Sequence, residues 1–407
     1  MLKNIRVADL KPGMRVVDPG IDWRARPYLY ASDRFIDSEQ TVRQILALGY
    51  REAYIDLALS ESRVARRYDQ AITHLINPAQ PLAPAVRPGP AHHSGRHVSL
   101  KEELPHAALL HDAAVGCARR IMAAAALGRL HTGKATEVVE GLVDSLERNP
   151  DALLCLLSMR QRAAYTYTHC ANVSVLLAGF ALNEGLGRDS AVTFGLAGLF
   201  HDLGKAVLPV SLLNARRKLD RTEQLLVKKH PVLSYEFLNS VPDTPAEVLQ
   251  AALEHHERYD GSGYPRGLSG DDISLIGQVA GIADTYDAIS SRRPFKGALH
   301  PHKSLGIMYQ MRKKAFHPVL VEKFVRMVGV YPVGSVVELN DGYKGVISAG
   351  NPANPMKPSV ILVLDPQGKA MRMHEFSLAK DTISGISRCI PAELSGIDPR
   401  VALGLKA

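Results

Sequence analysis

From residue 100 to about 330, apolar side chains return every three or four positions. This periodicity commits over half of the 407-residue chain to amphipathic helices. Val138, Val139, Leu142, Val143 and Leu146 form one such stripe between Gly133 and Pro150, and similar stripes run on to Val328. Helices of this kind must bury their stripes against one another, so the region is expected to fold as a large all-α domain. The pattern changes on both sides of it. Upstream, five prolines (78, 81, 84, 88 and 90) precede His92, His93, Ser94 and Gly95, and residues 77–99 read as a Pro-rich linker. Histidines in such a tether, His92, His93 and His97, lack the rigid frame a metal site needs.

Residues 1–76 read as a small α+β domain of a regulatory or interaction type. Ile5 to Val7 and Arg15 to Val17 are short strand patterns separated by the turn residues Lys11-Pro12-Gly13. Ser38 can cap a helix carrying Val42, Ile45, Leu46 and Leu48, and Ala53 to Leu57 reads as a further strand. Residues 331–407 switch to period two. Val336 to Leu339 and Gly345 to Ile347 flank the hairpin signal Asn340-Asp341-Gly342, and Ser359 to Leu364 ends at Asp365-Pro366-Gln367-Gly368. The expected fold is therefore mainly α: a helical bundle over residues 100–330, a small N-terminal α+β domain and a small C-terminal β module.

With 49 basic against 41 acidic side chains the formal charge is +8, which suits an anionic partner and is equally explained by solubility. The basic residues are dispersed, so no surface for a nucleic-acid polymer is expected. Cys117, Cys155, Cys170 and Cys389 lie far apart without a CxxC pair, which fits a reducing compartment and argues against structural zinc. The N-terminus lacks a signal-peptide pattern, and the apolar windows Ile121 to Gly128 and Val173 to Leu182 fall short of the ~20 residues that cross a bilayer. The expectation is a cytoplasmic protein without membrane insertion.

The chemistry-bearing residues fall inside the helical region. A site for two metal ions needs about seven or eight protein donors, one of them a carboxylate able to bridge. His201-Asp202 offers an imidazole and a carboxylate at the end of the apolar helix Val192 to Phe200, with Gly204 and Lys205 following. His255-His256 offers two imidazoles at a helix end, where neighbours can converge, and His169, His230 and Asp284 complete the donor set. His111-Asp112 is also a His-Asp pair, but no Gly and Lys follow it, and it reads as structural.

His201-Asp202-Leu203-Gly204-Lys205, Glu223 with His230, His255-His256-Glu257, Asp260-Gly261-Ser262-Gly263-Tyr264-Pro265, Asp284 to Asp287 and Arg293-Pro294-Phe295-Lys296 occur in order and at compatible spacing. Together they resemble the HD-GYP subgroup of the HD-domain metal-dependent phosphohydrolases, over roughly residues 160–330. The flanking regions resemble those of HD-GYP proteins that carry the uncharacterised N-terminal domain DUF3391. The resemblance implies a bacterial phosphodiesterase that hydrolyses cyclic di-GMP to pGpG, and in some members onward to GMP, through a hydroxide held between metals. It implies one metal on His169, His201, Asp202 and Asp284 and another on Asp202, His230, His255 and His256, with Asp202 bridging. Iron or manganese suits such a mixed shell, while zinc, nickel and cobalt stay open.

The resemblance also assigns catalytic and substrate contacts. Lys205 would meet the scissile phosphate, on the same helical side as His201 if the helix continues that far. Arg293 and Lys296 would hold the substrate phosphates, Tyr264 would line the pocket, and Asp287, one turn after Asp284, can face the site, cap or orient. Some family members carry a glutamate four residues before the first histidine as part of a three-metal site; Tyr165 stands there, so two metals are expected. The Gly-Tyr-Pro loop is also a candidate contact for diguanylate cyclases (GGDEF proteins), and a homodimer is left open. Two rival readings stand beside this one. The first is an HD-domain hydrolase acting on another cyclic dinucleotide or a nucleotide, and the second is a module that binds cyclic di-GMP or a protein without hydrolysis.

Overall fold

The computed structural model describes residues 2–12, 14–16, 34–36, 39–47, 52–56, 98–128, 133–158, 165–215, 217–291, 301–351, 354–380 and 384–405. Contacts between them divide the chain into two units. In the first, β1 (Leu2–Arg6), β2 (Arg15–Val16), β3 (Arg34–Phe35) and β4 (Glu52–Asp56) form a sheet in the order β1-β4-β2-β3. β1 and β4 run antiparallel from Leu2↔Asp56 to Arg6↔Glu52. One helix, α1 (Glu39–Ala47), packs Val42 and Ile45 into a core with Val7, Val16, Ile36, Ala53 and Ile55, while Leu46 is left exposed. Ser38, Leu48, Leu57 and residues 77–97 of the expected linker lie outside the described residues.

The second unit begins with α2 (Leu100–Ala126). Ser99 and Glu102 close a reciprocal capping box at its N-terminus, which satisfies two of the backbone donors that a helix start leaves open. Then follow α3 (Gly133–Arg148), α4 (Pro150–Ser158), α5 (Tyr165–Asn183), α6 (Arg188–Phe200), α7 (Arg221–Val227), α8 (His230–Asn239), α9 (Ala246–Glu254), α10 (Leu275–Ser290), α11 (Pro301–Gln310) and α12 (Pro318–Val328). The buried Glu103 accepts from Arg148 (2.8 and 2.9 Å) and Ser145 (2.7 Å) and ties α2 to α3. Among the described residues no helix is long and apolar enough to cross a membrane.

α5 and α6 are the centre of this unit. Their apolar residues are buried nearly all round rather than along one stripe, because other helices cover the pair. The two helices also touch through backbone. A Cβ at Gly198 would stand 2.6 Å from Ser174 Cα, and Ser174 Oγ donates to the Gly195 carbonyl at 2.7 Å. The short connection from Asn183 to Arg188 makes the pair antiparallel neighbours, so the start of α5 and the end of α6 share one end of the bundle.

The last part of the chain folds as β5 (Val336–Leu339), β6 (Lys344–Ala349), β7 (Ser359–Leu364), β8 (Ala370–Ser377) and β9 (Ile386–Ile390), an antiparallel sheet in the order β8-β7-β6-β5-β9. The expected hairpin is β5 with β6, and the expected third strand is β7. β8 and β9 are further strands whose side chains are mostly exposed or half-buried. They therefore carry no clean alternation for a sequence reading to detect.

Gly198→Ala tests the α5–α6 contact. In an ordinary helix interior the exchange would stabilise by roughly 0.5–1 kcal/mol. Here the new methyl group meets backbone, so the expected outcome is a loss of about 1–3 kcal/mol in urea unfolding, opposite in sign to the helix preference.

Candidate metal centre

Two helical hairpins and the helix α10 bring the donors together. His169 lies in the second turn of α5 and His201 caps the C-terminus of α6, and their rings are 5.2 Å apart at the shared end of that hairpin. His230 opens α8 and His255 caps the C-terminus of α9, so the next antiparallel pair delivers a second couple of imidazoles at one end. α10 supplies Asp284 and Asp287 from one face. Gly204 lets the pairs meet: a Cβ there would lie 2.2 Å from the His230 carbonyl oxygen, and its N–H donates to Ser234 Oγ at 2.8 Å.

Asp202 sits between the couples, and its two oxygens face different sides. Oδ2 is 3.4 Å from His201 Nε2 and 3.6 Å from His169 Nε2, while Oδ1 is 3.2 Å from His230 Nε2 and 3.8 Å from His255 Nε2. Asp284 repeats the division, with Oδ1 at 3.1 Å from His169 Nε2 and Oδ2 at 3.8 Å from His256 Nδ1. Two compact donor groups result: His169, His201 and Asp202, and His230, His255 and His256.

The second nitrogens show which atoms are free to bind a cation. His201 Nδ1 donates to the Gly198 carbonyl (2.8 Å), His230 Nδ1 to Val227 (2.7 Å), His255 Nδ1 to Ala252 (3.0 Å) and His169 Nδ1 to Asp287 (2.7 Å). A carbonyl or carboxylate only accepts, so each of these rings carries a proton on Nδ1 and turns Nε2 inward. His230 Nε2 and His255 Nε2 are 3.1 Å apart, and two lone pairs at that distance repel unless a cation lies against both. His201 Nε2 and Asp202 Oδ1 are buried without a hydrogen-bond partner. Imidazole and carboxylate donors with their outer nitrogens anchored in this way fit divalent metal.

Charge follows the same layout. Burial opposes ionisation of Asp202, yet Lys205 above all, with His201 and His230, holds it well below the usual carboxylate range. Asp284 is likewise held low against burial, by His169 and His256. Burial pushes His230, His255 and His256 down, and their mutual proximity deepens the shift for the last two. Burial also disfavours the His169 cation, but Asp284 and Asp287 outweigh it and raise its pKa to about 9.

The other expected residues are placed differently. α6 stops at Phe200, and the chain tightens into a 3₁₀ turn over Leu203–Val207. Lys205 thus reaches the site through a turn rather than along a continued helix, and its Nζ donates to Asp202 Oδ2 at 2.5 Å. Tyr264 stacks on His256 with ring centroids 4.7 Å apart, and Lys228 Nζ lies 4.8 Å from the Tyr264 ring. Asp287 is buried behind His169 and also accepts from Asn172 Nδ2 at 2.8 Å. Glu223 stays outside the donor groups, capping α7 with Asp220 and pairing with Arg217. Arg293, Lys296 and the side chain of Tyr165 lie outside the described residues.

Asn172, Glu254 and the carboxylate role of Glu257 were not singled out from sequence. Glu257 accepts from the backbone N–H groups of Arg266 (2.7 Å) and Leu268 (3.0 Å), and Glu254 accepts from Arg266 and from Ser274 N (2.8 Å). A Cβ at Gly263 would lie 2.4 Å from Glu257 Cα, so the Gly-Tyr-Pro loop is pressed against the segment that bears His255 and His256. The available signal was Glu257 directly after the histidine pair and the glycines Gly261 and Gly263 flanking Ser262, too local to reveal the contact.

A helical unit that gathers these imidazoles and carboxylates has the character of an HD-domain metal-dependent phosphohydrolase. The HD domain family profile matches residues 152–320, and the family described as "Domain of unknown function (DUF3391)" matches residues 2–136. The chain is 32% identical to Cyclic di-GMP phosphodiesterase PA4108 of Pseudomonas aeruginosa, over 91% of this chain and 87% of that protein. It is 38% identical to Cyclic di-GMP phosphodiesterase response regulator RpfG of Xanthomonas campestris, over 35% of this chain and 38% of that one. It is also 31% identical to 3'3'-cGAMP-specific phosphodiesterase 2 of Vibrio cholerae, over 47% and 37% respectively. The chain belongs to the HD-GYP family of HD-domain phosphodiesterases with an N-terminal DUF3391 domain.

Glu257→Ala removes the acceptor of two loop amides, and each amide left buried and unpaired costs about 1–3 kcal/mol. The expected outcome is amide hydrogen exchange across residues 261–268 faster by at least about tenfold, with little change in α5 and α6.

Proposed function

We propose that this chain hydrolyses cyclic di-GMP at a site for two divalent metal ions. The observation that carries the reading is the division of Asp202, whose two oxygens face two separate histidine couples. Similarity to PA4108 along nearly the whole chain supports the substrate. His169, His201, Asp202 and Asp284 would hold one ion, and Asp202, His230, His255 and His256 the other. The mixed nitrogen and oxygen shell suits iron or manganese. Ions held there would acidify a bound water and would neutralise negative charge building on the phosphoryl oxygens.

The chain's own residues supply orientation and complementary charge. Lys205, held against Asp202, offers N–H donors at the edge of the donor groups where a phosphate oxygen would approach. Tyr264 adds a flat wall beside His256, suited to a guanine face, and Arg293 and Lys296 are assigned to the substrate phosphates. Asp287 is more suitably an orienting group for His169 than a substrate contact, because its carboxylate is buried against that ring. The product reading is pGpG, with GMP as the further step. In this reading residues 1–76 form a regulatory domain, 77–99 a linker, 100–330 the catalytic domain and 331–407 a β module. Exposed Ser262 and Gly267 on the outer edge of the Gly-Tyr-Pro loop suit contact with a diguanylate cyclase.

A second substrate deserves direct comparison, because relatives in Vibrio cholerae are named for 3'3'-cGAMP. Purified chain loaded with Mn²⁺ or Fe²⁺ is expected to convert cyclic di-GMP faster than 3'3'-cGAMP, as read by product chromatography. The reverse order would reassign the substrate. Asp202→Ala removes a donor from both ions, so turnover is expected to fall by at least about 100-fold. Wild-type rates in that variant would refute the bridging role.

A further inference from the structure

His111 is the half of the His-Asp pair on α2 that sequence assigned to structure. Its neighbour Asp112 points outward, but the His111 ring is buried and places Nε2 at 2.8 Å from Asn172 Oδ1. The Asn172 amide then donates from Nδ2 to Asp287 Oδ1 at 2.8 Å, and Asp287 Oδ2 accepts from His169 Nδ1 at 2.7 Å. Four side chains from α2, α5, α10 and α5 again make one hydrogen-bonded series ending on an imidazole of the metal centre. We propose that His111 is a positioning residue for His169, acting through the amide of Asn172 and the carboxylate of Asp287. This rests on the reading of His169 as a metal ligand.

The donor and acceptor assignments run in one direction. The Asn172 oxygen can only accept, so His111 Nε2 donates to it. An asparagine amide has two nearly isosteric orientations, and only one of them presents N–H to a carboxylate. The His111 donor selects that orientation, because the flipped amide would set NH₂ against the ring N–H and oxygen against Asp287. Asp287 held from behind in turn fixes the His169 ring through Nδ1–H and keeps Nε2 facing Asp202 and Asp284. Carboxylate partners of ligating histidines act on metal affinity in this manner, and here an amide and a further imidazole extend the support.

The origin of His111 gives the series a wider consequence. It lies in the segment matched by the DUF3391 profile, residues 2–136, and outside the HD domain match, residues 152–320. α2 belongs to the same compact unit as the HD match, so the proposed series extends the support of His169 onto a helix upstream of residue 152.

The test uses the full chain, with Mn²⁺ as probe and a competing chelator to read its retention, alongside ¹⁵N signals of the histidine rings in metal-free protein. His111→Leu keeps the volume and removes the donor; His111→Gln restores an N–H at the position of Nε2. Expected are a loss of Mn²⁺ affinity of about tenfold in His111→Leu, recovery to within about twofold in His111→Gln, and a loss at least as large in the isosteric Asn172→Asp. The His169 ring ¹⁵N signals should shift in His111→Leu and return to their wild-type positions in His111→Gln. Wild-type affinity in His111→Leu, or equal loss in both His111 variants with unchanged unfolding transitions, overturns the proposal. Should His111→Leu fail to fold, wild-type affinity in Asn172→Asp overturns it instead. His169→Ala separates the two readings: unchanged Mn²⁺ affinity there refutes the ligand role itself, whereas a loss there without one in His111→Leu refutes only the relay.

Discussion

A buried carboxylate held among imidazoles is the constraint on which the catalytic unit depends. Asp202 has almost no solvent access, and taking an anion out of water costs several kcal/mol unless cations or donors compensate. Lys205 compensates part of it directly. The surrounding histidines anchor Nδ1 outward and turn Nε2 toward it, an arrangement that suits divalent metal. The two helical hairpins, α5–α6 and α8–α9, can be understood as the frame that holds this anion between two couples of rings.

The frame depends on close backbone approach. Gly198 allows α5 and α6 to touch, and Gly204 allows the 3₁₀ turn to lie against the first turn of α8. Side chains at either position would separate the very segments that carry the donors. The outer nitrogens of His201, His230 and His255 are then anchored on backbone carbonyls three residues back, so the orientation of these rings is built largely from local geometry. His169 is the exception, anchored by Asp287 across 118 residues of sequence.

That exception marks the limit of what could be read from the chain. His201-Asp202 and His255-His256 were legible because each pair stands at the end of an apolar helical run, where adjacent side chains can converge. The helical region, the hairpin around Asn340-Asp341-Gly342 and the first strands were legible from periodicity and turn chemistry. Lys205 reaches Asp202 from a 3₁₀ turn, which the helical period upstream of it does not announce. The exposed strands β8 and β9 carried no alternation to read. Asn172, Glu257 and His111 look like ordinary polar residues in sequence, since their importance lies in partners that only folding brings near.

The sequence by itself determined the class of fold and the kind of chemistry. Helical period sets which faces must be buried, and residue type sets which atoms can bind metal or phosphate. Tertiary structure decided the arrangement: which oxygen of Asp202 faces which histidines, that Asp287 stands behind His169, and that α2 reaches the site through His111 and Asn172. Those facts depend on directions in space between helices far apart in sequence, and hydrogen bonds a few ångströms long discriminate among directions that periodicity treats as equivalent.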